Sequence, residues 1–194
     1  MIDSSLNERA IIDKALVGDQ SAYRYLLEKY KAFAFTIALR IVKNSEDAEE
    51  IVQDAFIKAF KSMAQFKRSG KFSTWLYKII YNTALTSLRG NKISLSSMEE
   101  FQSDELNIPD NYDNGFEKLS KNDQVNYINK AIAKLDETDN LMITLYYTCE
   151  CTILEVGAIT GWNTSTIKVR LHRARQKLYK ELSMLLIKEM NDLL

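Results

Sequence analysis

Trp75, Lys78, Asn82 and Arg89 are the side chains of this 194-residue sequence that combine most readily into a binding chemistry. On a helix they fall within about 60° of one another, away from Leu76, Ile79, Ile80, Thr83 and Ala84. An aromatic ring can stack on a base, an amide can reach a base edge, and Lys or Arg can meet phosphate. A core Trp beside solvated bases would show the same spacing. The preceding loop, Gln65–Lys71, adds Lys67, Arg68 and Lys71 around Ser69-Gly70. Ser73 is a candidate cap for the helix that follows.

A second set has the opposite sign. Residues 44–54 (NSEDAEEIVQD) hold five acids and no base, whereas residues 55–92 hold eight Lys or Arg and no acid. Asp47, Glu50 and Asp54 lie within about 60° on a helix whose other side carries Ala48, Ile51, Val52, Ala55 and Ala59. A solvated face near a helix start, where acids are favoured, has this pattern too. An acidic helix would repel DNA, so any partner it has is most simply a basic protein. The neighbouring basic, aromatic half reads as a nucleic-acid surface.

The third set lies in TILEVGAITGWNTSTIKVRLHRARQKLYKEL. A short helix over Ile153–Thr160, a turn at Gly161-Trp162-Asn163 and a long basic helix make the helix-turn-helix layout. On the long helix Ile167, Leu171, Ala174, Leu178 and Leu182 share one face. Ser165, Val169, His172, Arg173 and Gln176 point the other way. Lys168 and Arg175 flank one edge, Arg170 and Lys177 the other. Base-reading types on the crest and phosphate-binding types on both edges suit a major groove.

Other chemistries find little support. Cys149 and Cys151 form a CxC and His172 is the only histidine, a spacing that fits no common zinc module. The plain reading of the cysteines is reduced thiols. There is no Gly-rich phosphate loop, no Ser/His/acid set and no metal-ligand cluster. No catalytic residue, metal or cofactor is expected, and the chain does not read as an enzyme. No run reaches the roughly 18 apolar residues of a membrane span and no signal peptide is visible, so a cytoplasmic protein without membrane insertion is expected.

The elements that must position these residues are helices. One Pro and six Gly in the chain, with 46% hydrophobic residues, predict an all-α protein with a real core. A first helix is expected over residues 8–17, closed by Gly18 and Asp19. A second starts near Ser21, with Ala22, Leu26, Tyr30, Phe33, Ile37 and Ile41 inward. Asn44 or Ser45 caps the third. From about Asn91 to Ser120 the periodicity dissolves into an acidic, Ser/Asn/Asp-rich stretch with seven acids, two bases and the only Pro. It reads as a flexible acidic linker. Two small helical domains follow: residues 1–92, a linker at 93–120, and a C-terminal helix-turn-helix domain at 121–194. In the latter, Val125, Ile128, Ala131, Ile132 and Leu135 form the predicted inner stripe, and Asp136 caps a helix over Glu137–Thr148. The apolar tail after Ser183 should extend the last helix.

Four stretches in order resemble bacterial RNA polymerase sigma factors of the extracytoplasmic-function group. GDQSAYRYLLEKY (Gly18–Tyr30) resembles the family's opening helix, and DAEEIVQDAFIKAF (Asp47–Phe60) the helix that docks on polymerase. FSTWLYKIIYNTALTSLR (Phe72–Arg89) resembles the helix that meets the downstream promoter element, and Glu155–Leu178 the one that reads the upstream element. The resemblance implies a sigma factor that binds core RNA polymerase, reads the upstream (-35) element with its helix-turn-helix and helps melt the downstream (-10) element. Asp47, Glu50, Gln53 and Asp54 would then bind the clamp helices of the largest subunit. Lys67, Arg68, Lys71, Trp75, Lys78, Asn82 and Arg89 would meet the downstream element, with the loop Lys67–Lys71 capturing a flipped base. Ser165, Thr166, Lys168, Val169, Arg170, His172, Arg173 and Lys177 would meet the upstream element. An anti-sigma factor is an implied partner, and could hold the protein at the membrane. Two positions depart from the family pattern: Thr86, where many members have an acid, and Gly157, where Ala is frequent. The Gly is expected to loosen its helix by up to about 1 kcal/mol.

Overall fold

The computed structural model describes residues 4–90 and 120–192, which form eight α-helices and no strand. They are α1 (Ser4–Leu16), α2 (Gln20–Val42), α3 (Ser45–Lys61), α4 (Phe72–Gly90), α5 (Lys121–Ala133), α6 (Glu137–Ile143), α7 (Ile153–Thr160) and α8 (Thr164–Asp192). Of the linker expected at 93–120, all but Ser120 lies outside the described residues.

Local chemistry sets most of these boundaries. Asp19 caps α2, its carboxylate accepting from the N–H groups of Ser21 at 2.7 Å and Ala22 at 3.3 Å. Asn44 caps α3 by accepting from the Asp47 N–H at 3.0 Å. Ser120 and Asp136 do the same for α5 and α6. At α7, Thr152 and Glu155 form a capping box, each side chain accepting from the other's N–H. Ser73 is not a cap, because α4 already starts at Phe72 and Ser73 lies inside its first turn. The helix expected over 137–148 stops at Ile143 and continues as one wider turn over Thr144–Thr148, where the Cys149 N–H donates to the Thr144 carbonyl at 2.9 Å. The apolar tail does extend α8, as far as Asp192.

Helices α2, α3 and α4 pack on one another, with α1 against α2. Helices α5, α6 and α7 surround α8. The two groups also meet: α7 lies on α4, and α6 with the wide turn lies on α2. One hydrophobic cluster runs through both groups, joining Leu26, Ile37, Leu76 and Ile80 to Met142, Leu145, Val156, Ile159 and Ile167. Ion pairs cross the junction at its edges, Lys43 with Glu137 at 2.7 Å and Lys71 with Glu155 at 3.1 Å. Exposed pairs of this kind contribute about 1 kcal/mol at most, so the apolar contact carries the association.

Three inner stripes differ from expectation. Phe33 is exposed while Ala34 and Ala38 are buried, since small side chains let α2 approach its neighbours closely. On α3, Phe56 is buried and Val52 only half-buried. On α5, Val125 is 56% exposed and Ile128 is exposed too, whereas Tyr127 is buried with Ala131, Ile132 and Leu135. Helix α5 has apolar residues on more than one side, and the aromatic ring is the one turned inward.

Gly157 has a role that its helix propensity does not suggest. A Cβ there would stand 3.0 Å from the Trp162 carbonyl oxygen, a backbone atom of the tight turn, and 3.5 Å from Ile167 Cδ1. Gly161 closes α7 at φ 80° with its N–H on the Gly157 carbonyl. The missing side chain therefore lets the turn fold back over α7. Gly157→Ala is expected not to raise the melting temperature, although the propensity gain of about 1 kcal/mol alone would add roughly 2–4 °C. A thermal melt showing that full gain would mean that the turn gives way freely.

Candidate nucleic-acid and protein interfaces

The acidic face is fully presented. Asp47, Glu50, Gln53 and Asp54 are all exposed on α3, while Ala48, Ile51, Ala55, Phe56 and Ala59 are buried beneath. None of the three acids takes part in an ion pair among the described residues. Ile57 belongs to the same face, three and seven residues beyond Asp54 and Glu50, and is 51% exposed. Reading the sequence for charge missed it. The available signal was a large aliphatic residue lying off the buried stripe.

Around the basic loop the geometry is more occupied. Lys67, Arg68 and Lys71 are exposed, and the loop runs directly into α4. Arg68 pairs with Asp13 of α1, and Lys71 pairs with Glu155 of α7. Burial works to raise the Glu155 carboxyl, but the Thr152 N–H and the Lys71 ammonium outweigh it and hold it below its ordinary value. Trp75 is half-buried, its ring centroid 5.5 Å from Phe66 and 5.6 Å from Phe72. It is thus both part of the core edge and open on one side. Lys78, Asn82 and Arg89 are exposed along α4. Thr86 turns its hydroxyl back onto the Asn82 carbonyl at 2.8 Å.

On α8, Asn163 caps the helix, accepting from the Thr166 N–H and the Ser165 hydroxyl at 2.8 Å each. Ile167, Leu171 and Ala174 are buried, which leaves Ser165, Val169 and His172 exposed on the crest. Arg173 and Gln176 are half-buried and interact within the chain. The edges differ from each other. Lys168 is exposed. The Arg170 guanidinium lies over the Trp162 ring at 4.8 Å. Arg175 donates from Nε to the Tyr147 hydroxyl at 2.6 Å and sits over both Tyr146 and Tyr147.

Lys177 was expected beside phosphates, yet its ammonium donates to Asp136 at 2.7 Å and to Asp139 at 2.5 Å. The Asp139 side chain is only 5% exposed, and burial pushes its carboxyl up from the ordinary value against the pull of Lys177. This ion triad ties the start of α6 to α8. Lys177 is therefore first a brace within the C-terminal group of helices.

The two cysteines adjoin Tyr77 of α4, where α6 and α7 meet the N-terminal group. Burial, with the adjacent Cys151 thiol adding to it, pushes Cys149 up to about 12; burial with Glu155 nearby, partly offset by Lys71, pushes Cys151 up to about 11. Both remain protonated thiols at neutral pH, which makes them poor nucleophiles and poor ligands. Among the described residues no group of three or more His, Cys, Asp or Glu could hold a metal ion, and no helix is long and apolar enough to cross a membrane.

Comparison with known proteins gives the family to which these helices belong. Residues 26–93 match the family Sigma-70 region 2, and residues 126–178 match Sigma-70, region 4. The ECF RNA polymerase sigma factor SigW of Bacillus subtilis strain 168 is 30% identical over 186 residues, covering 85% of this chain and 91% of that protein. The chain belongs to the extracytoplasmic-function sigma factors. The ECF RNA polymerase sigma-E factor of Escherichia coli K12 is 26% identical, with 90% of this chain and 94% of that one covered. Two solved structures share the fold at 20% identity each. CnrH, in complex with the cytosolic domain of CnrY, matches with TM-score 0.62 over 91% of this chain and 97% of that one. RpoE of Bartonella quintana, in complex with the anti-sigma factor NepR, matches with TM-score 0.59 over 83% and 96%. This sigma factor accordingly binds core RNA polymerase and directs it to promoters. Region 2 spans most of α2 together with α3, the basic loop and α4, while region 4 spans most of α5, all of α6 and α7, and the first half of α8.

Proposed function

We propose that each of the three faces serves one partner. Asp47, Glu50, Gln53 and Asp54, with Ile57, dock on the clamp helices of the largest polymerase subunit. The loop Lys67–Lys71 and the Trp75–Arg89 face of α4 hold the downstream (-10) element and help open it. The crest of α8, from Ser165 to Arg173, reads the upstream (-35) element. Residues 1–92 and 121–194 act as the two working units. The observation that carries this reading is the separation of one unpaired acidic face from two basic ones on a single chain.

In the free protein α7 covers part of α4, and Glu155 neutralises Lys71. This supports a resting state with weak promoter affinity, which polymerase opens. The fold's relatives CnrH and RpoE were solved with partner proteins bound, NepR being an anti-sigma factor, and an anti-sigma factor of this chain would act on the same surfaces. The protein works in the cytoplasm, with no catalysis of its own and without a cofactor.

Run-off transcription on a promoter library tests the assignment. Transcripts from a defined promoter class are expected only when the protein and core polymerase are both present. Tight promoter-specific binding by the protein alone, with no transcript on adding core, would overturn it in favour of a free-standing regulator.

A further inference from the structure

Cys149 and Cys151 sit where the two groups of helices meet, at the end of the wide turn that follows α6. Cys151 is buried in the hydrophobic cluster shared by both groups, and Cys149 is half-buried against it. Tyr77 of α4 is their neighbour across the junction. The Lys71–Glu155 ion pair, which also bridges the groups, is close enough to Cys151 to act on its thiol. The roles assigned to the three faces use neither sulfur.

The backbone brings the two residues together. Glu150, between them, has φ 52°, in the left-handed region that side-chain-bearing residues seldom occupy. A residue there sets its neighbours' Cα atoms about 5.4 Å apart, the i to i+2 spacing of a helix of either hand. A disulfide spans Cα separations of roughly 4.4–6.8 Å. The Cys151 sulfur already lies 3.8 Å from the Cys149 carbonyl oxygen. Packing is what protects the pair. Burial in the closed molecule keeps both thiols protonated, and only a thiolate attacks an oxidant. Separation of α4 from α7 removes that cover.

We propose that Cys149 and Cys151 form a reversible oxidation site, masked while the two groups of helices are packed together and unmasked when they separate. The oxidant class is a peroxide. One thiolate attacks a peroxide oxygen, giving a sulfenic acid and, after protonation, water. The second thiol displaces the sulfenic oxygen as another water and the S–S bond forms. The pair loses two electrons and two protons, and hydrogen peroxide is reduced to two waters. Coupling of this kind is reciprocal: if opening favours oxidation, the disulfide favours the open form. Transient, sensing disulfides are the kind that a reducing compartment permits. The site rests on the closed resting state proposed above.

A zero-length carbodiimide cross-link between Lys71 and Glu155, located by peptide mapping, reports the closed form without involving the thiols. In the free chain it should form, and N-ethylmaleimide should label the cysteines slowly. In holoenzyme the cross-link should be lost and labelling should run roughly tenfold faster or more, because a masked group reacts in proportion to its open fraction. Hydrogen peroxide should then yield a chain lighter by two hydrogens, read as intact mass, and dithiothreitol should restore it. Cys149→Ser and Cys151→Ser should each abolish that species. Freed from polymerase, the oxidised chain should cross-link at Lys71 and Glu155 severalfold less than the reduced one. A cross-link that persists in holoenzyme overturns the closed resting state, and the masking with it. A cross-link lost on assembly, with cysteines that label no faster or never lose the two hydrogens, overturns the oxidation site and leaves the resting state standing. An oxidised chain that cross-links as well as the reduced one overturns the coupling.

Discussion

With Asp47 and Glu50 both reversed to Lys, the sigma factor is expected to lose at least thirtyfold in affinity for core RNA polymerase at physiological salt. Both carboxylates are exposed and neither takes part in an ion pair among the described residues, so their attraction is available to a basic partner. Close interfacial charge pairs couple by about 1.5–7 kcal/mol, and reversal replaces attraction with repulsion. The cost to the fold is smaller. Asp47 sits in the first turn of α3, where losing an acid costs about 0.3–1 kcal/mol. A salt titration separates the contributions on this face. The loss from the reversed pair should shrink as salt rises, whereas Ile57→Ala should weaken binding by an amount that salt barely changes. Unchanged holoenzyme formation by the doubly reversed protein would place the polymerase contact elsewhere.

Arg173→Ala and Lys177→Ala are expected to fail in different ways. Arg173 follows the exposed crest residues of α8, and a bidentate contact with guanine contributes about 1–3 kcal/mol of discrimination. Its loss should change which upstream elements are preferred, by roughly five- to 150-fold at one base position, in a promoter selection with holoenzyme. Lys177 is bound to Asp136 and to the buried Asp139, so its removal strands a buried carboxylate. The expected cost is about 1–3 kcal/mol of stability, read as an earlier thermal or urea transition. A small, even loss at all promoters would accompany it. If Lys177→Ala melts like the natural protein while binding falls and its salt dependence flattens by about one unit of slope, Lys177 is a phosphate contact after all.

The helix-turn-helix could be read from the sequence nearly to the residue. Thr152, Gly161 and Asn163 are local signals, because a cap or a left-handed turn is decided by the few residues that form it. The acidic face of α3 was equally plain, since one strong buried stripe fixes the helix's rotation. What the sequence hid depends on distant partners. Val125 and Ile128 suit an inner stripe as well as Tyr127 does, and only the packing of α5 on α8 picks Tyr127. Lys177 has the type and spacing of a phosphate contact, but its acids lie on a separate helix start 38 and 41 positions away. Gly157 reads as a weak helix former until the Trp162 carbonyl is seen above it.

The apolar junction between α4 and α7 also has a thermodynamic consequence. Separating the two groups of helices exposes side chains that are now buried, among them Val156 and Ile159 on α7 and Leu76 and Ile80 on α4. Suppose the separated form makes up about one molecule in a hundred. Any partner that binds only this form then shows an apparent dissociation constant about a hundredfold weaker than its intrinsic one. Substitutions that loosen the junction would tighten holoenzyme assembly without touching polymerase or DNA. Opening also hydrates apolar surface, so the heat capacity of assembly should be less negative than the area of the final polymerase contact implies.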